Sequence, residues 1–293
     1  MTAYGIKTGN LSDDFKLFHL KDKNNIKFDY HYHDFNKLII FISGNVVYNI
    51  EGKAYELQPW DILLVPSGQV HKPLIEPITD YERIVLWINN SFLEQHSSQN
   101  EKLLNCFFIA KNDMMHVIRP HLTSLDSLKR MLSLLEKEIK GSDFAGAIMA
   151  NSLFVQLIIS INRLYIKDDE QVKKIEVQYD ESILKMVQYI NSNIEKDLSI
   201  DFLSSKFFIN KYYLMHKFKA STGYTIHNYI NNKRLIKATE LIKSGICMSE
   251  VAQLCGFNDY SSFVRAFKKH FEMSPKKYLK QINSLYKQIV IEG

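Results

Sequence analysis

Residues 256–269 read GFNDYSSFVRAFKK, and this stretch decides how the C-terminal third of the chain folds. Asp259 is a preferred N-cap residue, and Phe263 and Phe267 follow at a spacing of four, which places both rings on one side of a helix. The preceding residues, 248–257, predict a shorter helix and a tight turn. Together the two segments have the pattern of a helix-turn-helix.

A second copy of this pattern lies upstream, and the two second helices align at an offset of 49 residues. Residues 198–204 (LSIDFLS) predict a short helix, and residues 210–219 (NKYYLMHKFK) predict a longer helix that begins after Asn210. A long helix from Thr225 to about Lys243 is predicted between the copies. At about 1.5 Å per residue its length is near 28 Å, which suits two helices that enter DNA grooves about 34 Å apart.

The outward faces of the two second helices are polar, aromatic or cationic, and they contain no carboxylate. This composition suits DNA, because a carboxylate there would be repelled by the phosphates. Arg265 is predicted to make a bidentate contact to guanine, and Lys219 and Lys268 are predicted to contact phosphate. The predicted DNA-binding residues are Tyr212, Met215, His216 and Lys219 in the first copy, and Ser261, Ser262, Arg265 and Lys268 in the second.

Charge is distributed unevenly along the chain. Residues 179–293 contain 17 Lys and Arg against 10 Asp and Glu, a net charge of +7, whereas residues 1–178 have a net charge of −2. A basic segment joined to a near-neutral body indicates a polyanion partner for that segment alone.

Composition excludes several classes of protein. With 46% hydrophobic residues in 293, the chain can build a core in each of two domains. The longest strongly apolar run, residues 153–161, contains Gln156 and is about half a membrane span, and the N-terminus has no secretory h-region. Cys106, Cys247 and Cys255 have no metal-binding or redox spacing, which favours reduced thiols. We therefore expect a cytoplasmic protein without a membrane partner.

Residues 256–269, followed by Ser274-Pro-Lys-Lys-Tyr278, resemble the signature of AraC/XylS-type transcription regulators. The resemblance covers about residues 183–281. It implies a bipartite DNA-binding domain of seven helices, and it assigns base reading to six of the positions named above: Tyr212, Met215, His216, Ser261, Ser262 and Arg265.

Three residues depart from the family pattern. Ser204 replaces a usual Ala, which predicts looser packing of the short helix at 198–204 on the longer helix that begins after Asn210. Glu272 replaces a usual Gly, which predicts a helix that ends without an easy left-handed cap. Leu279 replaces a common Arg, and this removes one contact of that side chain, either to phosphate or within the domain.

The N-terminal residues predict a sandwich or barrel of short strands. Four runs rich in β-branched and aromatic residues lie between turn signals, at residues 37–42, 46–50, 62–65 and 84–88. Two apolar helices, at about 125–140 and 145–165, follow them. The apolar faces of these helices fit either a cap on the barrel or a dimer interface, and the sequence leaves both interpretations open.

His31-Tyr-His33 and the segment that ends at His71 resemble the two motifs of cupin barrels. Two His at i,i+2 on a strand share a face, and a third from a neighbouring strand could complete a three-nitrogen metal site. Cupin enzymes add a Glu where this chain has Lys37, and a Gly where it has Trp60. An ammonium repels a divalent cation, so we predict no metal and no other cofactor. Instead we expect His31, His33, Lys37 and His71 to contact a small polar effector.

The sequence thus predicts an α+β multidomain protein. A cupin-like β-barrel (residues 1–120) senses an effector, and a helical pair (121–166) and a linker (167–182) follow it. An all-α double helix-turn-helix domain (183–285) binds DNA. The predicted function is a sequence-specific transcription regulator, with a sugar as the first guess for its effector. Double-stranded DNA, a second copy of the chain and RNA polymerase are the expected macromolecular partners. Activation and repression both stay open, with activation as the working expectation. The alternative is a metal-dependent cupin enzyme with an appended helical domain.

Overall fold

The computed structural model describes residues 6–7, 11, 13–22, 28–76, 80–167 and 177–281. The chain divides after Tyr179 into two compact units. The N-terminal unit is built around antiparallel sheets and the C-terminal unit from helices, as the sequence predicts. The predicted boundaries at residues 120 and 166 stay predictions, and residues 282–285 of the predicted DNA-binding domain lie outside the described part of the chain.

The strands of the N-terminal unit form two sheets. Sheet A has the strand order β1-β3-β8-β5-β6-β11, and sheet B has the order β10-β7-β4-β9-β2. Among the described strands, all pairs are antiparallel except β1 with β3. The strands are β1 (Ile6–Lys7), β2 (Phe15–Asp22), β3 (His31–Tyr32), β4 (Asn36–Ser43), β5 (Val46–Ile50), β6 (Lys53–Glu56), β7 (Ile62–Val65), β8 (His71–Ile75), β9 (Tyr81–Ile88), β10 (Val117–Ile118) and β11 (Val177–Gln178).

Sheet B is buried on both faces because its strands alternate between two hydrophobic clusters. On β4, Ile39 and Phe41 belong to the core shared with sheet A, and Leu38 and Ile40 belong to the core shared with the helices. The period of two along a strand produces this division. All four side chains are at most 1% exposed, and burying each contributes roughly 1.5–3 kcal/mol.

The described part of the N-terminal unit contains four helices: α1 (Asn90–Gln95), α2 (Asn105–Asn112), α3 (Leu122–Lys140) and α4 (Gly146–Lys167). Buried side chains of α3 and α4, such as Leu132 and Leu157, share one cluster with sheet B. Residues 146–166 of α4 are long and apolar enough to cross a membrane, but the helix packs into this core through Phe154 and Ile158.

The predicted linker, residues 167–182, holds regular structure at its C-terminal end. Val177 and Gln178 form β11 and pair with Tyr55 and Ala54 of β6, and the next helix already begins at Glu181. The sequence did not indicate this strand because the surrounding segment is polar. A strand of two residues at a sheet edge needs no run of apolar residues. Residues 168–176 lie outside the described residues.

Trp60 shows why glycine is usual at its position. Its φ is 72°, in the left-handed region that costs roughly 1–2 kcal/mol for a residue with a Cβ. The indole ring packs against the helical core, and the Lys129 ammonium lies 4.4 Å from its centroid. The adjacent Asp61 is fully buried and accepts two hydrogen bonds of 2.8 Å from the Arg119 guanidinium.

The C-terminal unit contains α5 (Glu181–Ser192), α6 (Ile200–Phe207), α7 (Lys211–Thr222), α8 (Ile226–Lys243), α9 (Met248–Leu254), α10 (Tyr260–Phe271) and a helical segment at 275–281. Among the described residues these are the seven helices that the family resemblance implies. The predicted long helix is α8, and Thr225 is its N-cap.

Each predicted recognition helix is held by the side that the sequence assigns to the core. Leu214 and Phe218 of α7 are 0% exposed, and the Phe218 ring meets the Tyr229 ring of α8 edge to face at 5.4 Å. Phe263 and Phe267 of α10 are also 0% exposed and belong to one cluster with α8 and α9.

Gly256 allows the turn after α9 to lie against the segment between α5 and α6. Its φ is +78°, and a Cβ there would lie 2.6 Å from the Ile194 carbonyl oxygen and 2.9 Å from the Cα of Glu195. Arg234 of α8 fixes the same loop, donating to the carbonyls of Ile194 at 3.0 Å and Lys196 at 2.9 Å.

Two of the family departures can be located in the structure. Glu272 ends α10 in the left-handed conformation, with φ 58°, which is less favourable for a residue with a Cβ than for glycine. The Ser204 hydroxyl donates to the Ile209 carbonyl at 2.6 Å and closes the connection between α6 and α7, and the looser packing predicted for this position stays a prediction.

Candidate nucleic-acid interface and ligand site

Helix α7 presents the first set of predicted DNA-binding residues. The Asn210 side chain caps the helix and accepts from the backbone N–H of Tyr212 at 2.9 Å. This cap fixes where the helix begins and hence which residues point outward. Tyr212 is 80% exposed and Met215 38% exposed, and His216 and Lys219 are exposed beside them. The structure therefore places Tyr212, His216 and Lys219 on the side opposite the buried Leu214 and Met215 on its flank.

Helix α10 presents the second set. Ser261, Arg265 and Lys268 are exposed, and Ser262 is partly buried. The Asp259 side chain caps the helix by accepting from the Ser262 backbone N–H at 2.7 Å. The three exposed predicted residues therefore offer a guanidinium, an ammonium and a hydroxyl, which suit guanine and phosphate.

Ser262 is hydrogen-bonded on both sides. Its hydroxyl donates to the Asp259 carboxylate at 2.7 Å and accepts from Nη2 of Arg265 at 3.1 Å. The hydrogen bond from the Ser262 hydroxyl lowers the pKa of Asp259, and the Ser262 backbone N–H and the Arg265 charge act in the same direction. Asp259, Ser262 and Arg265 are therefore linked by two consecutive side-chain hydrogen bonds. Ser262 thus uses its one hydroxyl proton on Asp259, and its oxygen accepts from Arg265.

The sequence interpretation missed Asp259 as part of this interface and named it only as a cap. The signal was available in its spacing. A cap residue followed three positions later by Ser brings a hydroxyl beside the carboxylate, and Ser262 and Arg265 are again three apart on the helix surface.

Three imidazoles meet in the N-terminal unit. His31 on β3 lies directly opposite His71 on β8 in the register of sheet A, and His33 follows β3. The ring centroids of His31 and His71 are 4.3 Å apart, and those of His33 and His71 are 5.0 Å apart. The exposed fractions are 8%, 4% and 0% for His31, His33 and His71. We call these residues the histidine cluster.

Backbone carbonyls fix the tautomers of two cluster members. Nδ1 of His31 donates to the Asp29 carbonyl at 2.8 Å, and Nδ1 of His71 donates to the Gln69 carbonyl at 2.9 Å. Since a carbonyl only accepts, the proton of each neutral ring is on Nδ1 and the lone pair is on Nε2. Burial lowers the pKa of His31, and burial followed by the Lys37 charge lowers that of His71 well below its ordinary value.

Lys37 lies on sheet B, on β4, where it pairs with Trp87 and Val65. It is not part of the histidine cluster itself, but its charge reaches His31 and His71. Burial lowers the pKa of Lys37 to about 7, and the Arg83 charge adds to this effect. The predicted effector contacts thus form three close imidazoles with an amine nearby.

The histidine cluster fits a metal ion by two observations. Each imidazole offers one ligand nitrogen, and the three nitrogens lie within 4.8 Å of one another. Nε2 of His71 is buried and has no hydrogen-bond partner among the residues that the structure describes. A buried nitrogen that holds a lone pair and no partner is costly, so it favours a ligand that accepts electrons.

Two family models match the chain. The model described as AraC-like ligand binding domain matches residues 18–158, and the model described as helix-turn-helix domain matches residues 203–281. The first therefore includes the histidine cluster and the second includes α7 and α10.

Several known proteins are similar over most of their length. The probable transcriptional regulator LumQ of Photobacterium leiognathi is 27% identical over 253 residues, covering 85% of this chain and 91% of LumQ. The HTH-type transcriptional activator RhaS of Mannheimia succiniciproducens is 27% identical over 257 residues, covering 85% of this chain and 88% of RhaS. Among solved structures, an apo variant of ToxT from Vibrio cholerae has a TM-score of 0.39 at 17% identity, covering 92% of this chain and 97% of ToxT.

Two helix-turn-helix units that follow a ligand-binding domain define a DNA-binding transcription regulator. LumQ and RhaS, which match 85% of the chain, are themselves named as transcriptional regulators. The chain belongs to the AraC family of transcription regulators.

Proposed function

We propose that the regulator binds double-stranded DNA through α7 and α10, with one helix in each of two successive major grooves. The supporting observation is that seven of the eight predicted contact residues are exposed, whereas the four core residues of the same helices are fully buried: Leu214, Phe218, Phe263 and Phe267. Arg265 reads guanine, and Tyr212, Met215, His216 and Ser261 meet other base edges. Lys219 and Lys268 bind phosphate. Ser262 acts on bases only through Arg265.

The experiment is a fluorescence-anisotropy titration of an operator duplex that has been selected from a random pool. The logarithm of affinity should fall linearly with the logarithm of salt concentration. Lys268→Ala should reduce the slope by about 1, because one phosphate contact is lost. Lys185→Ala is the control, since Lys185 lies on α5 and pairs with Glu181 at 2.6 Å. Absence of duplex affinity at low salt, or equal slopes for all three proteins, contradicts the proposal.

The N-terminal unit is proposed to bind a small polar effector at His31, His33, Lys37 and His71, with a sugar as the first candidate from sequence. These side chains offer nitrogen donors and acceptors, which suit a polar ligand better than an apolar one. Binding alters DNA affinity only if the effector has different affinities for two states of the protein. Thermal denaturation of the full chain with sugars and organic acids tests this, because a ligand of the native state raises the midpoint. No shift with any polar compound contradicts it.

A homodimer is proposed from the surface of α3 and α4. These helices bury part of their surface in the unit, but they and the connection between them leave large apolar residues exposed: Leu122, Leu134, Ile139, Phe144, Ile148, Met149 and Ile166. Ile148 is 70% exposed, so Ile148→Glu should convert a sedimenting dimer to a monomer. Phe108→Glu on α2, where Phe108 is 64% exposed, is the matched control and should leave the dimer intact.

The remaining proposals are that the protein works in the cytoplasm, activates transcription by contacting RNA polymerase and is not an enzyme. The relative named a transcriptional activator supports activation. Run-off transcription from an operator template with purified polymerase should increase when the protein is added. A decrease assigns repression instead.

A further inference from the structure

We propose that His31, His33 and His71 bind a divalent transition-metal ion and that this ion is the ligand sensed by the N-terminal unit. The inference rests on the proposed ligand-binding role of these residues and replaces the expected sugar with an ion. It also reverses the expectation from sequence that no metal binds here.

Geometry is the first argument. Nitrogen ligands lie about 2.0–2.1 Å from a tetrahedral zinc ion, which places them about 3.4 Å from one another. The three cluster nitrogens already lie within 4.8 Å of one another. Small rotations of the rings therefore bring them to ligand distance, and the paired strands β3 and β8 hold two of them at the start.

The tautomers are the second argument. Metal-binding histidines commonly donate their other ring N–H to a carbonyl, which orients the ring and raises its basicity. His31 and His71 both do so, through Asp29 and Gln69. The buried Nε2 of His71 then has a lone pair with no hydrogen-bond donor among the described residues. A bound metal ion satisfies this nitrogen, whereas a sugar must bring a hydroxyl into a space bordered by three rings.

Burial and ligand type restrict the class of ion. The cluster members are at most 8% exposed, and the core between the two sheets is filled by side chains such as Phe41 and Tyr48. An ion needs far less room than a typical organic ligand, whose pocket is about 300 Å³ or larger. Three imidazoles without a carboxylate suit zinc, copper or nickel, whereas magnesium and calcium require oxygen ligands.

Lys37 is the residue that speaks against a cation, and it provides a test. An ammonium near the cluster lowers the affinity for a divalent ion but removes none of the three nitrogens. Lys37→Met should therefore bind the metal more tightly than the wild type. Weaker binding by this variant contradicts a site made of the three imidazoles.

The experiment uses the full chain after treatment with a chelator. Zinc sulfate and nickel chloride are titrated by calorimetry, and the thermal midpoint is measured with and without each metal. We expect one ion per chain, a raised midpoint, and an affinity at least about 100-fold weaker in His71→Ala, since losing a ligand should exceed the loss of an outer hydrogen bond. Magnesium chloride should cause no shift.

His116→Ala is the matched control. His116 is also 0% exposed, and its Nδ1 donates to a backbone carbonyl, that of Leu64, at 3.1 Å. It is not in the histidine cluster, so its variant should keep the metal affinity of the wild type. Cobalt(II) absorption on the wild type needs no variant, and a thiolate-to-metal band would assign the ion to cysteine and overturn the proposal. Equal affinities of His71→Ala and His116→Ala would also overturn it.

Operator affinity of the metal-free and zinc-loaded chain separates this proposal from the previous one. Different affinities support the ion as the sensed ligand, and equal affinities with a bound ion overturn that role. Metal binding by a chain without any duplex affinity would remove the DNA-binding proposal alone.

Discussion

Removing the hydroxyl of Ser262 should weaken base discrimination without any direct contact between Ser262 and a base. In the free protein this hydroxyl links the Asp259 carboxylate at 2.7 Å to the Arg265 guanidinium at 3.1 Å. Ser262→Ala leaves the cap in place, because the Ser262 backbone N–H still donates to Asp259. The variant therefore keeps the helix and releases only the arginine.

The size of the effect follows from exposure. A buried hydrogen bond to a charged group contributes about 1.5–3 kcal/mol, but interactions between exposed charged groups contribute about 0.2–1 kcal/mol. Arg265 is exposed, so we expect Ser262→Ala to lose about 0.5–1 kcal/mol, or about two- to fivefold in discrimination at one base pair. Arg265→Ala removes the guanine contact itself and should lose about 1–3 kcal/mol.

A double-mutant cycle distinguishes orientation from direct reading. Anisotropy titrations compare the selected operator with a duplex altered at the guanine, for wild type, Ser262→Ala, Arg265→Ala and the double variant. If Ser262 acts through Arg265, its substitution has no effect once Arg265 is absent. The reasoning is refuted if Ser262→Ala costs as much in the Arg265→Ala background as in the wild type, because Ser262 then contacts a base by itself.

Three further substitutions test the fold. Glu272→Gly should raise the free energy of unfolding by about 0.5–1 kcal/mol in urea titrations, because φ 58° is unfavourable for any residue with a Cβ, and a loss of stability contradicts this. Gly256→Ala should lower stability in the same assay by more than about 1 kcal/mol, since its Cβ would lie 2.6 Å from the Ile194 carbonyl oxygen. Lys37→Met should raise the melting temperature of the metal-free protein most at or below pH 7. Burial lowers the Lys37 pKa from 10.5 to about 7, so the unfolded wild type binds more protons and wild-type stability rises with pH across that range. The gain should therefore shrink toward pH 10.5, and a gain independent of pH contradicts the cause.

The C-terminal unit could be predicted closely because its signals are local. A cap residue sets where a helix begins, and a spacing of four then decides which residues are buried. Asn210 and Asp259 cap as predicted, and Phe218 and Phe267 are fully buried. Whether the exposed residues contact DNA is still a prediction.

The N-terminal unit could be predicted only in part because its structure depends on pairing between distant residues. The strongly apolar strands β5 and β7 begin and end as predicted. Strand β2 escaped prediction because charged residues such as Lys16 and Lys21 interrupt its apolar pattern. The approach of His31 to His71 follows from sheet register across 40 residues of sequence, so only the resemblance of both segments to cupin motifs indicated it beforehand.

Strand β11 decides where this protein can be cut. Val177 and Gln178 cover the edge of sheet A by pairing with β6. A fragment that stops before Val177 leaves the N–H and C=O groups of β6 open to a strand from another molecule, which is a common start of aggregation. A sensing fragment that includes Tyr179 keeps this edge protected, so its length should be chosen by backbone pairing and not by the polar stretch before it.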